Sequence, residues 1–563
     1  MTEPRQLAST SSATTPAAWG LPLAVMVVGV FVSVLDTTIV NVAVPAIQKD
    51  FGGSLPDVLW IATSYTLTLG VVVPISSWLG DRFGLSRVYL VALLAFAAGS
   101  ALCGLAWNLN VLIAFRILQA VPGGILPVIT LTMVYRIVPK DKIGAAMGMY
   151  GLGIVVAPAL GPVLGGYLVQ YADWRLVFFI NVPIGLLGAL AAYLLVPKIG
   201  KAVAHRFDLA GFATVAYGLF AVLLAASKGE DWGWTGYRVL ALLISGTLSL
   251  ALFVVIELEV ADPLLDLRVL KVWPFTNSLL LLTLLTVNLL AVAFYIPVFL
   301  QQGRGLQAFE AGLLTMPQAL VMGALMPIAG RVYDKIGPRW LAAIGLTICA
   351  YGTYLMGGLT PDTTNTEIVI WTCVRAFGMG LAMMPIMTSG LAAVPAALTN
   401  QASAMNNVAR QVAGSLGLAG FAVLATAQQT QMFSDRATLT PATAAGAASS
   451  GAGFAPLYQR FQHLNLEVLA ASYADLFLIT AGLAVLGAIG ALLLRSGPAA
   501  PTSAPAPRAD PTVAPPLAAG SANPVVDEPT GGERVREAAD QPTASPHRPS
   551  STRSRQPVGH ARR

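Results

Sequence analysis

Long apolar runs dominate the sequence and decide what the chain can fold into. A helix that crosses the hydrocarbon core of a bilayer, roughly 30 Å thick, needs about 20 mostly apolar residues. Such runs lie at approximately 20–46, 57–80, 87–107, 109–135, 143–168, 174–196, 209–227, 239–258, 276–300, 309–332, 340–359, 368–394, 402–426 and 472–494. The chain is 56% hydrophobic and only 11% charged, whereas soluble domains carry about a quarter charged residues. The sequence therefore predicts an all-α integral membrane protein with about fourteen spans.

The predicted spans form two sets of six with one extra pair between them. We predict a six-helix bundle over 20–197 and a second one over 276–495. Residues 198–275 are predicted as a linker with two extra transmembrane helices, and an external loop is expected at about 427–471. Two six-helix halves that bind their cargo at a shared interface are a known plan of transporters.

The charge of the loops predicts which ends of the chain face the cytoplasm. If both termini are inside, the inner loops hold about twice as many Lys and Arg residues as the outer loops, which is the bias expected of cytoplasmic loops. Residues 1–19 and 496–563 are then cytoplasmic tails. The second tail is rich in Pro, Ala and Ser, and we expect it to be disordered because it has few apolar residues to bury.

Two loops repeat one pattern of an acid, a base, a glycine three residues after the acid and a further arginine. The residues are Asp81, Arg82, Gly84 and Arg87 after the second span, and Asp334, Lys335, Gly337 and Arg339 after the tenth. The glycines permit a tight reversal, and the acids can cap a helix or pair with a guanidinium group. We interpret the two turns as a cytoplasmic latch between the bundles. The alternative is an ordinary turn with positive-inside charges.

Asp36 is the strongest candidate for handling protons. It lies about 15 residues into the first predicted span, or roughly 22 Å along the helix. An ionised carboxylate at such depth costs about 2.5–3.5 kcal/mol, so a group there can be induced to take up a proton. The alternative is a carboxyl group that stays hydrogen-bonded to Thr37, Asn41 or a neighbouring helix.

Several motifs resemble those of the major facilitator superfamily, in particular its fourteen-span drug:proton antiporters of the EmrB/QacA type. The resemblance covers about residues 20–495. It rests on Leu35–Pro45 in the first span, on residues 77–87, on Arg116-Ile-Leu-Gln119 in the fourth span and on Gly161-Pro162-Val-Leu-Gly165-Gly166 in the fifth. Ser77 stands where the loop motif of the family usually has glycine.

The resemblance implies roles for individual residues. Arg116 and Gln119 would join Asp36 in a proton relay, although Arg116 could instead be a structural residue that ties helices together. The antiporter motif of the fifth span would comprise Gly148, Gly161, Pro162, Gly165 and Gly166. Generic packing of small residues is the alternative for this helix.

The second bundle offers weaker candidates for contact with a substrate. Arg375 is the counterpart of Arg116, because it lies in the twelfth span at a matching place in the repeat. Met316 and Met384 lie among other methionines whose flexible thioethers suit a pocket for varied apolar molecules. Methionine at such spacing is more often simply a core or lipid-facing residue.

The function predicted from these features is proton-coupled efflux of drugs or other small amphipathic molecules by alternating access. The sequence has no GxxxxGK[ST] phosphate loop, no HExxH and no Cys/His cluster, so we expect no enzyme activity, no metal and no cofactor, with a proton gradient as the driving force. Its partners would be a small molecule, protons and the lipid of a bacterial plasma membrane, not nucleic acid. No oligomeric state is predicted. The alternatives are a dedicated exporter of one metabolite, lipid or siderophore and, in another class, a non-transporting receptor or scaffold.

Overall fold

Helices make up nearly all of the computed structural model, which describes residues 19–198, 207–260, 262–395, 398–438 and 454–494. Thirteen helices in this part of the chain are long and apolar enough to cross a membrane, and one bent pair makes a fourteenth span. No β-strand occurs among the described residues. The predictions for tails at 1–19 and 496–563 fall outside them, apart from Trp19.

The first bundle contains eight helical segments that make six spans. They are α1 (Gly20–Phe51), α2 (Leu55–Val72), α3 (Ile75–Phe83), α4 (Leu85–Gly104), α5 (Leu109–Ile137), α6 (Ile143–Tyr171), α7 (Leu176–Phe179) and α8 (Asn181–Leu195). The helices α2 and α3 meet at an angle of 57°. Pro74 stands at this break, where its missing N–H group and its ring disrupt the helical ladder.

The extra pair and the second bundle complete the fold. The extra helices are α9 (Leu209–Trp232) and α10 (Tyr237–Glu259), which pack on each other, while α9 also contacts α2. The second bundle consists of α11 (Trp273–Val298), α12 (Ala308–Ile336), α13 (Pro338–Leu355), α14 (Asn365–Ala392), α15 (Thr399–Thr438) and α16 (Phe454–Ala491). A π-helical turn, Phe299–Gly303, extends α11.

Corresponding helices of the two bundles pack in the same way. Gly99 of α4 faces the backbone of Gln119 in α5, and a Cβ atom on it would lie 2.9 Å from the Cα atom of Gln119. In the second bundle, a Cβ atom on Gly345 of α13 would lie 2.7 Å from the carbonyl oxygen of Gly378 in α14. Small residues let helix backbones approach closely where lipid supplies no hydrophobic drive for association. This shared packing agrees with the repeat seen in the sequence.

Two long helices enter the segment 427–471, which the sequence predicts to be an external loop. The helix α15 continues to Thr438 and α16 begins at Phe454, so both ends of the expected loop are helical. The sequence 427–438 contains no Pro or Gly and is rich in Gln and Ala, residues that are compatible with helix even outside an apolar run. Residues 439–453 lie outside the described part of the chain.

The bundles meet along α6 and α12, where glycine permits backbone contact. A Cβ atom on Gly148 would lie 2.6 Å from both the carbonyl oxygen of Met326 and the Cα atom of Pro327. Backbone atoms cannot rotate away as the end of a side chain can. The close contact therefore requires glycine at position 148.

We predict that Gly148→Ala destabilises the protein although alanine favours helix over glycine by about 0.5–1 kcal/mol. Overpacking at this contact should cost about 1–3 kcal/mol and lower the midpoint of thermal unfolding in detergent. The matched control is Gly482→Ala in α16, because a Cβ atom there would meet nothing within 4 Å. A Gly148→Ala variant as stable as the control would contradict the contact.

Candidate functional site

A buried ion pair joins α1 and α5 in the first bundle. The Asp36 side chain has an exposed fraction of 0% and the Arg116 side chain one of 1%. The Nη1 atom of Arg116 donates a hydrogen bond of 2.5 Å to Oδ2 of Asp36. Each charge compensates the other at this depth, where neither is compensated by water.

Two side-chain amides complete the surroundings of the Asp36 carboxylate. Gln119 donates from Nε2 to Oδ1 of Asp36 at 3.0 Å, and Asn181 of α8 donates from Nδ2 to the same oxygen at 2.9 Å. Asn181 also donates to the hydroxyl oxygen of Ser100 at 3.2 Å. The carboxylate thus accepts from a guanidinium and two amides. Three donors of this kind stabilise the ionised form.

Arg116 separates this network from a cavity of about 140 Å³. Its guanidinium lies over the ring of Tyr65, 3.9 Å from the centroid, and donates 2.9 Å to Oε1 of Gln119. The residues that line the cavity are Thr37, Asn41, Ala62, Thr63, Tyr65, Thr66 and Arg116. The Arg116 side chain therefore lies between Asp36 and the cavity.

The hydrogen-bond partners proposed for Asp36 from sequence were only partly correct. Thr37 donates to the carbonyl of Val34 in its own helix at 2.6 Å, and Asn41 lines the cavity. The partners found for the carboxylate come from α5 and α8 instead. Side chains on a helix contact residues three or four positions away, so Thr37, at the next position, does not face Asp36.

The antiporter-motif helix α6 packs against both α1 and α12. A Cβ atom on Gly161 would collide with the Thr38 side chain, and one on Gly165 would lie 3.0 Å from the carbonyl oxygen of Ile39. On the other face, Pro162 approaches Gly312 of α12 and Gly166 approaches Phe309. The helix thus contacts the span that carries Asp36 and also the opposite bundle.

Each predicted latch acid contacts the start of a helix in the opposite bundle. Asp334 accepts hydrogen bonds from the backbone N–H groups of Gly144, at 2.9 Å, and Ala145, at 3.2 Å, which belong to the first turn of α6. Asp81 accepts from the side-chain amide of Asn400, at the beginning of α15. A carboxylate at a helix N-terminus satisfies free N–H groups and complements the helix dipole.

The other latch residues lie around these contacts. Gly84 and Gly337 have positive φ angles of 85° and 80°, as expected of tight reversals. Arg82, Arg87 and Lys335 are exposed, and Arg339 is half-buried.

The predicted substrate residues of the second bundle lie in different surroundings. Arg375 is 2% exposed and bonds to Asn288 and Gln318. Met384 is fully buried against α6, because a Cβ atom on Gly151 would lie 2.7 Å from its Cε atom. Met316 is half-buried. Met384 therefore belongs to the contact between the bundles.

Comparisons with known proteins identify the family. A family model described as Major Facilitator Superfamily matches residues 26–418. This chain belongs to the major facilitator superfamily. The uncharacterized MFS-type transporter YhcA of Bacillus subtilis is 37% identical over 74% of this chain and 79% of its own length. A multidrug resistance protein B homolog of Mycobacterium tuberculosis is 30% identical over 84% of this chain and 89% of its own.

The fold of a solved superfamily member agrees with this assignment. The proton:xylose symporter XylE aligns with a TM-score of 0.56 and 14% identity, over 84% of this chain and 96% of that one. The chain is thus a multi-pass membrane transporter of the superfamily and not an enzyme. Among the described residues, no group of three or more His, Cys, Asp or Glu side chains could hold a metal ion.

Sequence reasoning did not assign Asn181 and Tyr65 to the site around Asp36 and Arg116. Asn181 is a fully buried amide inside an apolar run, and that polarity was a signal that could have marked it. Tyr65 carried no comparable signal, because aromatic residues are common in apolar helices. Its position over Arg116 depends on how α2 packs against α5.

We predict strong energetic coupling between Asp36 and Arg116. Asp36→Asn or Arg116→Gln alone leaves one buried charge without its partner and should cost about 3–5 kcal/mol of stability. The double variant removes both charges, so its loss should be well below the sum of the single losses. Thermal and denaturant unfolding measure the stability of the wild type, the two single variants and the double variant. Additive losses would show that the pair is not coupled.

Proposed function

We propose that this protein is a proton-coupled efflux transporter that exports drugs or other small amphipathic molecules by alternating access. The observation that carries the proposal is the buried pair of Asp36 and Arg116 beside a cavity between helices. The name of the multidrug resistance protein B homolog supports drugs as cargo. The driving force would be the proton gradient, with no cofactor.

Protonation of Asp36 would act by removing the charge that holds Arg116. In the ionised state the carboxylate accepts from Arg116, Gln119 and Asn181. A proton on Asp36 cancels the attraction and leaves a guanidinium that must find another acceptor or water. The nearest polar space is the cavity that Arg116 already lines. Proton uptake would therefore move Arg116 and change the shape of the cavity wall.

The latch would hold the cytoplasmic side closed while the cavity is open to the outside. Thr37 and Asn41 lie in the second half of α1, and Thr63 and Thr66 lie in the first half of the span that α2 and α3 form together. Asp81 lies at the far end of the same span. The cavity is thus nearer to the face opposite the latch turns, which supports an outward-facing state.

The latch and the positive-inside bias together support the predicted orientation and domain plan. We place both termini in the cytoplasm and the chain in the plasma membrane. The bundles at 20–197 and 276–495 would be the moving halves, and 198–275 would join them through α9 and α10. Small molecules, protons and lipid are the partners of this arrangement.

We predict that an imposed pH gradient drives efflux in proteoliposomes and that Asp36→Asn abolishes the gradient dependence. Ethidium and a panel of neutral antibiotics would serve as cargo, and counterflow without a gradient would show whether the variant still binds and moves them. Transport by the wild type that ignores the gradient would contradict proton coupling. Asn181→Ala removes one of the three donors to the Asp36 carboxylate, so gradient-driven transport should slow relative to the wild type. Ser100→Ala is its control, because Ser100 contacts Asn181 but the Asn181–Asp36 bond remains.

We predict that Asp334→Ala opens the cytoplasmic side. Loss of a helix cap costs about 1 kcal/mol, which would shift the balance of states about fivefold away from the outward-facing one. Spin labels on Arg136→Cys and Trp340→Cys, exposed on the two bundles, report the change as longer distances.

The control for the latch is Glu310→Ala in the same helix, because Glu310 caps the start of its own helix at Gln307. Equal distance distributions for both variants would refute the latch. An impermeant maleimide should reach the two label sites in inverted vesicles and not in intact cells. Labelling in intact cells would reverse the proposed orientation.

A further inference from the structure

The second bundle contains a buried guanidinium group that has only neutral partners. Arg375 of α14 donates from Nη1 to Oδ1 of Asn288 at 3.1 Å and to the sulfur of Met379 at 3.4 Å. Its Nη2 atom donates to Oε1 of Gln318 at 3.3 Å. Among the described residues, no carboxylate lies within ion-pair distance of Arg375, and its Nε atom has no hydrogen-bond partner.

The first bundle shows what this arrangement lacks. Arg116 and Arg375 both lie in the fourth span of their bundles, and Asp36 and Asn288 both lie in the first. A cysteine of the third span joins each network, since Cys103 donates to Gln119 at 3.4 Å and Cys349 donates to Asn288 at 3.5 Å. The repeat therefore keeps the cation in both halves, whereas an amide replaces the acid in the second half.

The cation of the second bundle lies beside the contact between the bundles. Gln318, which holds Nη2 of Arg375, is only half-buried. It lies on α12 between Gly312, which approaches Pro162 of α6, and Met326, which contacts Gly148 of α6. A molecule that passes between the halves would reach Gln318 first and Arg375 behind it.

We propose that the exported molecule supplies the missing counter-charge, and that the cargo is a small organic acid or zwitterion whose carboxylate or ionised phenol binds Arg375. A guanidinium keeps its charge when buried and presents a planar fork of N–H donors that matches a carboxylate. Asn288 and Gln318 hold the fork without neutralising it. This inference rests on the proposed export function and names the chemical class of its cargo.

The test compares three anthracene probes that have similar shapes and different charges, and it uses the full-length protein in lipid nanodiscs. The probes are 9-anthracenecarboxylate, its neutral carboxamide and the cationic 9-(aminomethyl)anthracene. Calorimetric titration should show the carboxylate binding about tenfold or more tightly than either of the others. Arg375→Gln should remove this preference, because the carboxylate loses much more affinity than the carboxamide does. Equal affinities in the wild type, or a preference that persists in Arg375→Gln, would overturn the proposal.

A second variant covers the case in which Arg375→Gln does not fold. Asn288→Asp installs the acid that the first bundle has at the matching place, so the pair should remain compensated within the protein. The carboxylate probe should then lose its preference about tenfold, while the carboxamide still binds. Retention of the preference by Asn288→Asp would also overturn the proposal.

Two further measurements separate this proposal from its rivals. The first compares how well sodium chloride and the carboxylate probe, at equal concentration, protect the wild type against unfolding. Equal protection would mean that an inorganic anion is the counter-ion, and it would overturn the proposal of an organic acid. Binding is measured without a pH gradient, whereas the export function is tested by gradient-driven flux of the same carboxylate probe as well as of ethidium and the neutral antibiotics. Failure of the anion preference with intact flux would remove only the cargo class, and failed flux with an intact preference would remove only the coupling.

Discussion

The ion pair between Asp36 and Arg116 is the constraint on which the rest of the first bundle depends. Neither charge is exposed to water while the pair is formed, because both side chains are at least 99% buried. A guanidinium does not lose its proton, so the acid must stay beside it or be replaced by other acceptors. Gln119 and Asn181 therefore occupy positions set by the pair, since each uses an amide group to satisfy it. The pair fixes how α1, α5 and α8 meet.

The helix α6 connects this pair to the surface between the bundles. On one face, Gly161 and Gly165 bring α1 so close that any side chain would collide with Thr38 or approach the backbone at Ile39. On the other face, Gly148 lies against the backbone of α12, and the first turn of α6 receives the Asp334 carboxylate. A helix held by backbone contacts on both sides cannot absorb a shift by turning a side chain. Movement of α1 must therefore be passed to α12 or to the latch.

Much of the fold could be predicted from sequence because a span must be long enough to cross the bilayer and because a charge inside the membrane is unfavourable without a partner. The apolar runs located the spans, and Asp36 and Arg116 were visible because charged groups at that depth need partners. Gln119 was identified through the resemblance of Arg116-Ile-Leu-Gln119 to a family motif. The predictions of tight turns at Gly84 and Gly337 needed only local geometry. By contrast, the contact of Asn181 with Asp36 depends on the packing of α8, and the continuation of α15 past residue 427 depends on propensity in a polar stretch. Hydropathy can mark Asn181 as a polar residue in an apolar run, but it identifies neither its partner nor the end of α15.

The difference between the bundles bears on how proton and cargo would be coupled. In the first bundle the cation is neutralised within the protein by Asp36, so a proton is the ligand that changes its charge balance. In the second bundle Asn288 does not neutralise Arg375, so under the cargo proposal an external anion would supply the counter-charge. Under the proposals above, proton and cargo therefore act on different residues in different halves and do not displace each other from one site. Their coupling must then pass through the contact of α6 with α12, because each ligand can only favour one arrangement of the halves over the other.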